Sequence, residues 1–278
     1  MNQRALNIFF TLLTGVLLGA CATQNKLSAE DPEVVYKQGL VLYEAEKWNK
    51  ASRHFENIMG EYIGAPCEDS IIFFNARCKF KDTDYNAAST YFEAYRRQFS
   101  RSPFLEDAEG MLILCYYYSS PPPDRDPTNV HKTISSIDEF MSRYPKSDKI
   151  DDFKEIRAEL VQRLHDRSYL NAYTYYKIGK YKSAIVAFKN SLKEYPESTN
   201  REKIMYYMIL SGYELARNSI ESLQVDRYLS LVDMYYTFIA EFPSSEWRKD
   251  VDAINEKAKA FLEKSNTQQQ EEDGKIII

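Results

Sequence analysis

One hydrophobic pattern recurs five times along the chain. A bulky residue is followed at offsets 3, 7, 10 and 14 by a small residue, two bulky residues and an aromatic one. With about 3.6 residues per turn, these offsets trace one face of an α-helix. Trp48, Ala51, Phe55, Ile58 and Tyr62 fill the pattern once, and Tyr85, Ala88, Phe92, Tyr95 and Phe99 fill it again. Tyr228, Leu231, Tyr235, Phe238 and Phe242 fill it with Leu at the small place. Tyr181, Ala184, Phe188 and Tyr195 match with Ser191 as the exception, and Val130, Thr133, Ile137, Phe140 and Tyr144 match more weakly. Three copies end in aromatic-Pro with a serine two residues on: Tyr144-Pro145-x-Ser147, Tyr195-Pro196-x-Ser198 and Phe242-Pro243-x-Ser245. Proline lacks an N–H and clashes with the preceding turn, so each helix is expected to stop there.

A second amphipathic helix precedes the pattern. Nine residues before its first position stand Gly39, Ala76 and Ala172, small enough to let two helices approach closely. Helix, turn, helix with these small and aromatic places resembles the tetratricopeptide repeat. That resemblance implies an all-α fold, an α-solenoid of about five helix pairs with a concave inner surface. The spacing departs from a strict repeat of about 34 residues. Ala51 and Ala88 are 37 apart, and the prolines 145, 196 and 243 are 51 and 47 apart. The additions are expected in the loop Ser119 to Arg125, in a long helix from about Asp148 to Gly179, and in a loop from Asn218 to Gln224. Glu246 to Lys264 reads as a capping helix, and residues 265–278 as a disordered tail.

Composition fits a helical chain rich in ring packing. Of 278 residues, 22 are Tyr and 15 Phe, while only 9 are Gly, which leaves few turn-formers for a hairpin-rich β fold. The net charge of −5 lacks the basic footprint that nucleic acid requires.

The start of the chain reads as a targeting segment. Arg4 precedes the apolar run Ala5 to Leu18, which is short for a membrane-spanning helix. The run ends in Leu18-Gly19-Ala20-Cys21, which resembles the lipobox of bacterial lipoprotein signal peptides. The resemblance implies cleavage after residue 20 and lipidation of Cys21. Several acyl chains, at about 0.8 kcal/mol per buried methylene, give lasting attachment. No Asp follows at position 22, and by resemblance to enterobacterial lipoproteins this points to the outer membrane. Without Cys21 the cysteines are 67, 78 and 115, an odd number. They read as small buried hydrophobes, and a bridge between Cys78 and Cys115 stays open.

Catalytic and metal motifs are absent from the sequence. His54, His131 and His165 lie in three different helix pairs, and neither H-E-x-x-H nor Cys-x-x-Cys occurs. Gly179-Lys180 lacks the upstream glycine of a phosphate loop and reads as a turn between helices. Asp126 and Pro127 read as the cap and first turn of the next helix. No cofactor and no catalytic residue are therefore expected. The repeats offer a groove instead. By resemblance, Tyr36, Leu40, Tyr43 and Glu44 of the first repeat, and Phe73, Arg77, Phe80 and Lys81 of the second, face the concave side. Tyr169, Tyr173, Tyr176 and Lys177 occupy the same places in the fourth. Aromatics with a few cations suit an extended peptide with apolar side chains and a terminal carboxylate.

A lipobox followed by five such repeats, with an insertion in the third and Cys115-Tyr116-Tyr117 before the proline-rich loop, resembles the BamD family. These are lipoproteins of the outer-membrane β-barrel assembly machinery. The resemblance runs from Cys21 to about Lys264 and implies a non-catalytic scaffold on the periplasmic face of the outer membrane. Its expected partners are unfolded barrel proteins, the barrel-forming assembly subunit, and the membrane through its lipid. Arg201 is the nearest match to the family's basic docking contact. The implied layout is a signal peptide 1–20, a lipidated tether 21–30, repeats one to three over 31–145, and repeats four and five with the cap over 146–264. The alternatives are an adaptor lipoprotein of envelope division or secretion, and a carboxylate-using cell-wall hydrolase.

Overall fold

The structure is a computed structural model that describes residues 31–123 and 125–276. The expected signal peptide, Cys21, the tether and residues 277–278 lie outside the described residues. The fold is all-α, an α-solenoid of helix pairs, with no strand among the described residues. In chain order the helices are α1 (Pro32–Glu44), α2 (Trp48–Ile58), α3 (Glu68–Lys81), α4 (Tyr85–Gln98), α5 (Leu105–Tyr118) and α6 (Thr128–Arg143). Then follow α7 (Ile150–Lys177), α8 (Tyr181–Glu194), α9 (Arg201–Arg217), α10 (Glu221–Glu241) and α11 (Arg248–Ile276). No helix among the described residues is long and apolar enough to cross a membrane.

The chain forms two compact units. Unit 1 takes in residues 31–120 and 129–154, and unit 2 residues 121–128 and 155–276, among those described. The expected boundary at 145/146 thus falls inside unit 1.

The repeated pattern supplies the core of both units. Its middle positions are all buried: Ala51, Phe55 and Ile58; Ala88, Phe92 and Tyr95; Thr133, Ile137 and Phe140; Ala184, Phe188 and Ser191; Leu231, Tyr235 and Phe238. Gly39 is needed as glycine, because a Cβ there would sit 2.7 Å from Cε1 of Phe55. The buried Ser52 hydroxyl lies 2.7 Å from Oδ1 of Asn75, tying α2 to α3.

Local chemistry explains where the helices begin and end. The Asp31 side chain accepts from the Glu33 N–H at 2.9 Å, with Pro32 in the first turn of α1. Asp84 caps α4 in the same way, and Asp126 accepts from the Thr128 N–H at 3.0 Å before α6. Two residues before Trp48, Tyr85 and Tyr181, the backbone turns left-handed, at Glu46, Thr83 and Gly179. Gly179 takes this conformation without cost, which settles its role as a turn.

The last pattern position ends each helix rather than continuing it. Phe99, Tyr195 and Phe242 are the C-cap residues of α4, α8 and α10. Three residues on, the hydroxyls of Ser102, Ser147, Ser198 and Ser245 each accept the N–H two residues further, at 3.1–3.3 Å. These serine turns launch the next helix pair.

Two boundaries differ from expectation. The loop after α9 is only Asn218–Ile220, because Glu221 already starts α10. The final helix does not stop at Lys264 but runs to Ile276, in place of the expected disordered tail. Residues 265–273 hold no Gly or Pro and are rich in Gln and Glu, which favour helix over coil.

Candidate peptide-binding face

In unit 1 the face carried by α1 and α3 brings most of the expected groove residues together. Tyr36, Leu40 and Tyr43 are half-buried on one side of α1. The Tyr43 ring packs edge-on to Trp48 and to Phe74, each at 5.1 Å. Tyr36 leans on Phe55 at 6.1 Å, and burial pushes its phenol pKa upward while a hydrogen bond to Ser70 draws it back.

Arg77 is the centre of this face. Its guanidinium carbon lies 5.4 Å from the Tyr43 ring centre and 5.5 Å from that of Phe73. Its Nε is buried and has no hydrogen-bond partner. Burial raises the Tyr43 phenol pKa, and the positive charge of Arg77 offsets part of that rise. A half-buried guanidinium flanked by rings carries only donors, in a fork that matches a carboxylate.

Phe73 does not belong to the open face. It is 1% exposed and stacks on Phe104 at 4.7 Å, with Phe92 and Tyr95 beyond. Its neighbour Phe74 takes the place beside Tyr43. Phe80 stands at the other end of α3, 5.3 Å from Tyr85 and 6.0 Å from Tyr118. Tyr118, 53% exposed, stacks on Tyr85 at 5.0 Å and extends the aromatic surface. Sequence reasoning missed Tyr118, although it stands directly after the Tyr116-Tyr117 pair that it had singled out.

Beside this face, polar groups fix α4, α5 and α6. Glu93 accepts from the Tyr116 hydroxyl at 2.5 Å and from Lys132 at 2.8 Å. Both hold its carboxyl below the usual range, Lys132 foremost. The buried Glu109 is paired with Arg143. Cys67, Cys78 and Cys115 are free thiols, which closes the question of a Cys78–Cys115 bridge. Burial pushes Cys78 and Cys115 up to about 12, so neither is a nucleophile at neutral pH. Among the described residues no cluster of His, Cys, Asp or Glu could hold a metal ion.

In unit 2, Arg201 opens α9 and is already engaged. Its guanidinium forms a fork with Glu241 of α10, through Nε and through Nη2 at 3.0 Å. The fork stands at the rim of a cleft of about 370 Å³ with Met205, Met208 and Met234 among its lining. Arg167 of α7 donates to the carbonyls of Pro123 and Arg125 and so holds the proline-rich loop.

The family model for the outer membrane lipoprotein YfiO matches residues 28–169 and 161–268. The chain belongs to this outer-membrane lipoprotein family. Among curated relatives, outer membrane protein assembly factor BamD of Helicobacter pylori is 22% identical over 173 residues, covering 60% of this chain and 78% of the relative. A putative BamD of Aquifex aeolicus is 25% identical over 210 residues, covering 74% of this chain and 69% of the relative. A solved structure, the TPR2AB-domain:pHSP90 complex of yeast Sti1, aligns with a TM-score of 0.37 at 13% identity, over 82% of this chain and 98% of that one.

Proposed function

We propose that this YfiO-family protein is a non-catalytic scaffold for outer-membrane protein assembly, held at the periplasmic face of the outer membrane by lipid on Cys21. The α1–α3 face of unit 1 receives the terminal segment of an unfolded barrel protein. The reading rests above all on Arg77, a half-buried guanidinium held against the Tyr43 and Phe73 rings. An extended peptide ending in an aromatic residue would lay its ring against Tyr36, Tyr43 or Phe80 and its carboxylate on Arg77. Equilibrium binding of such a peptide tests this. The free acid should bind, and the C-terminal amide should bind far more weakly; equal affinities would remove the carboxylate from the account.

Unit 2 would dock on the barrel-forming assembly subunit near Arg201. Because Glu241 already occupies the guanidinium, a partner carboxylate must compete for it, or a partner donor must use Glu241. Anchoring has its own test. Cells supplied with radiolabelled palmitate should label the wild-type chain and leave Cys21→Ala unlabelled; label on that variant would place the lipid elsewhere.

A further inference from the structure

Unit 2 carries an aromatic face of its own, with two lysines seated on its rings. Tyr207 of α9 stands at its centre, 4.7 Å from Tyr173 and 5.1 Å from Tyr176 of α7. Tyr173 stacks on Tyr169 at 5.6 Å, and Tyr206 stacks on Trp247 at 4.9 Å. Burial, and then a hydrogen bond with Tyr173, push the Tyr207 phenol up to about 12, so it stays neutral.

Two lysines rest on these rings. Lys203 Nζ lies 4.9 Å from the centre of Tyr169, and Lys177 Nζ 5.9 Å from that of Tyr173. Both side chains are exposed, and neither meets a carboxylate among the described residues. Lys79, Lys132 and Lys149 of unit 1, by contrast, each sit on a Glu or Asp. Acids stand nearby, Asp250 accepting from the Tyr206 hydroxyl at 3.4 Å and Glu214 near Tyr176 paired with Arg217, and they leave Lys177 and Lys203 outside any ion pair among the described residues. The ring holds the ammonium in place through its quadrupole and leaves N–H donors toward solvent.

We propose that this face binds an extended acidic segment of a partner protein, with carboxylates on Lys177 and Lys203 and apolar side chains over Tyr173, Tyr176 and Tyr207. Charge complementarity selects the acid, and the rings select its apolar neighbours. Tyr169 to Tyr176 span roughly 10 Å along α7, about three residues of extended chain. Two lysines are too few for a polyphosphate backbone, which argues for a peptide over nucleic acid. The site is distinct from the Arg77 face, which awaits a single terminal carboxylate.

The test is a fluorescence titration of the full chain with a labelled, C-terminally amidated synthetic peptide of repeating Asp-Phe-Asp-Pro. The wild type should bind it, more weakly as salt rises. Lys177→Glu with Lys203→Glu should weaken binding by about ten-fold or more, with helix content unchanged, while the two Lys→Arg changes should preserve it. Arg77→Ala should leave it unaffected. No binding by the wild type, equal binding by the Lys→Glu variant, equal binding of the Asn-Phe-Asn-Pro peptide, or loss in Arg77→Ala would each overturn the proposal.

Discussion

Phe188→Ala should cost the protein about 3–5 kcal/mol of stability. The Phe188 ring is wholly buried, 6.3 Å from Tyr169 and 6.4 Å from Tyr207, in the core that also holds Ala172, Ala184 and Ile204. Two small alanines flank the site, so neighbouring side chains cannot reach in to fill the cavity. Val186, two residues away on the same helix, is 54% exposed. Val186→Ala should change stability by less than about 0.5 kcal/mol. Urea unfolding followed by circular dichroism compares the two. Equal effects would mean that the repeated pattern does not mark the buried face. The same argument covers Phe55, Phe92 and Phe238, its equivalents in other helix pairs and equally buried.

Arg77→Ala should weaken the aromatic-ended free-acid peptide by about 2 kcal/mol, roughly thirty-fold. The loss has two parts. The carboxylate loses a charge-assisted fork, and the Tyr43 and Phe73 rings lose the cation between them. Arg77→Lys should recover only part, because an ammonium cannot present a planar pair of donors. The amidated peptide, already weak, should hardly notice either change. An unaltered affinity of the free acid for Arg77→Ala would place the peptide elsewhere.

The core was legible because helix pairs bury one narrow stripe, and a stripe of Ala, Phe and Ile at helical spacing survives as a visible period. Phe55, Phe92, Phe188 and Phe238 are found at the expected places and buried. The period says less about helix ends. Phe99 and Tyr195 keep helical spacing yet act as caps, and the turn that follows depends on a serine rather than on proline. Ser102 makes that turn three residues after Phe99 with no proline between them, so the aromatic-Pro signature does not mark it.

The candidate face was half legible, for a related reason. Helix α3 packs against α2, α4 and α1, so apolar residues surround it. Ile71, Ile72, Phe73 and Phe74 are consecutive, and periodicity alone does not say which ring meets solvent. Counting chose Phe73, while packing against Phe104 buries it and leaves Phe74 beside Tyr43. Tyr207 and Trp247 lie outside the counted groove places and join Tyr173 and Tyr206 only through tertiary contacts. The Arg201–Glu241 fork links residues 40 apart, beyond what a single helical pattern records.

This lipoprotein has a role in outer-membrane protein assembly. Affinity purification of the full chain from gently solubilised outer membranes tests it most directly. A large outer-membrane barrel protein with periplasmic repeats should co-purify in stable proportion. Its consistent absence, with division or secretion components in its place, would contradict the account.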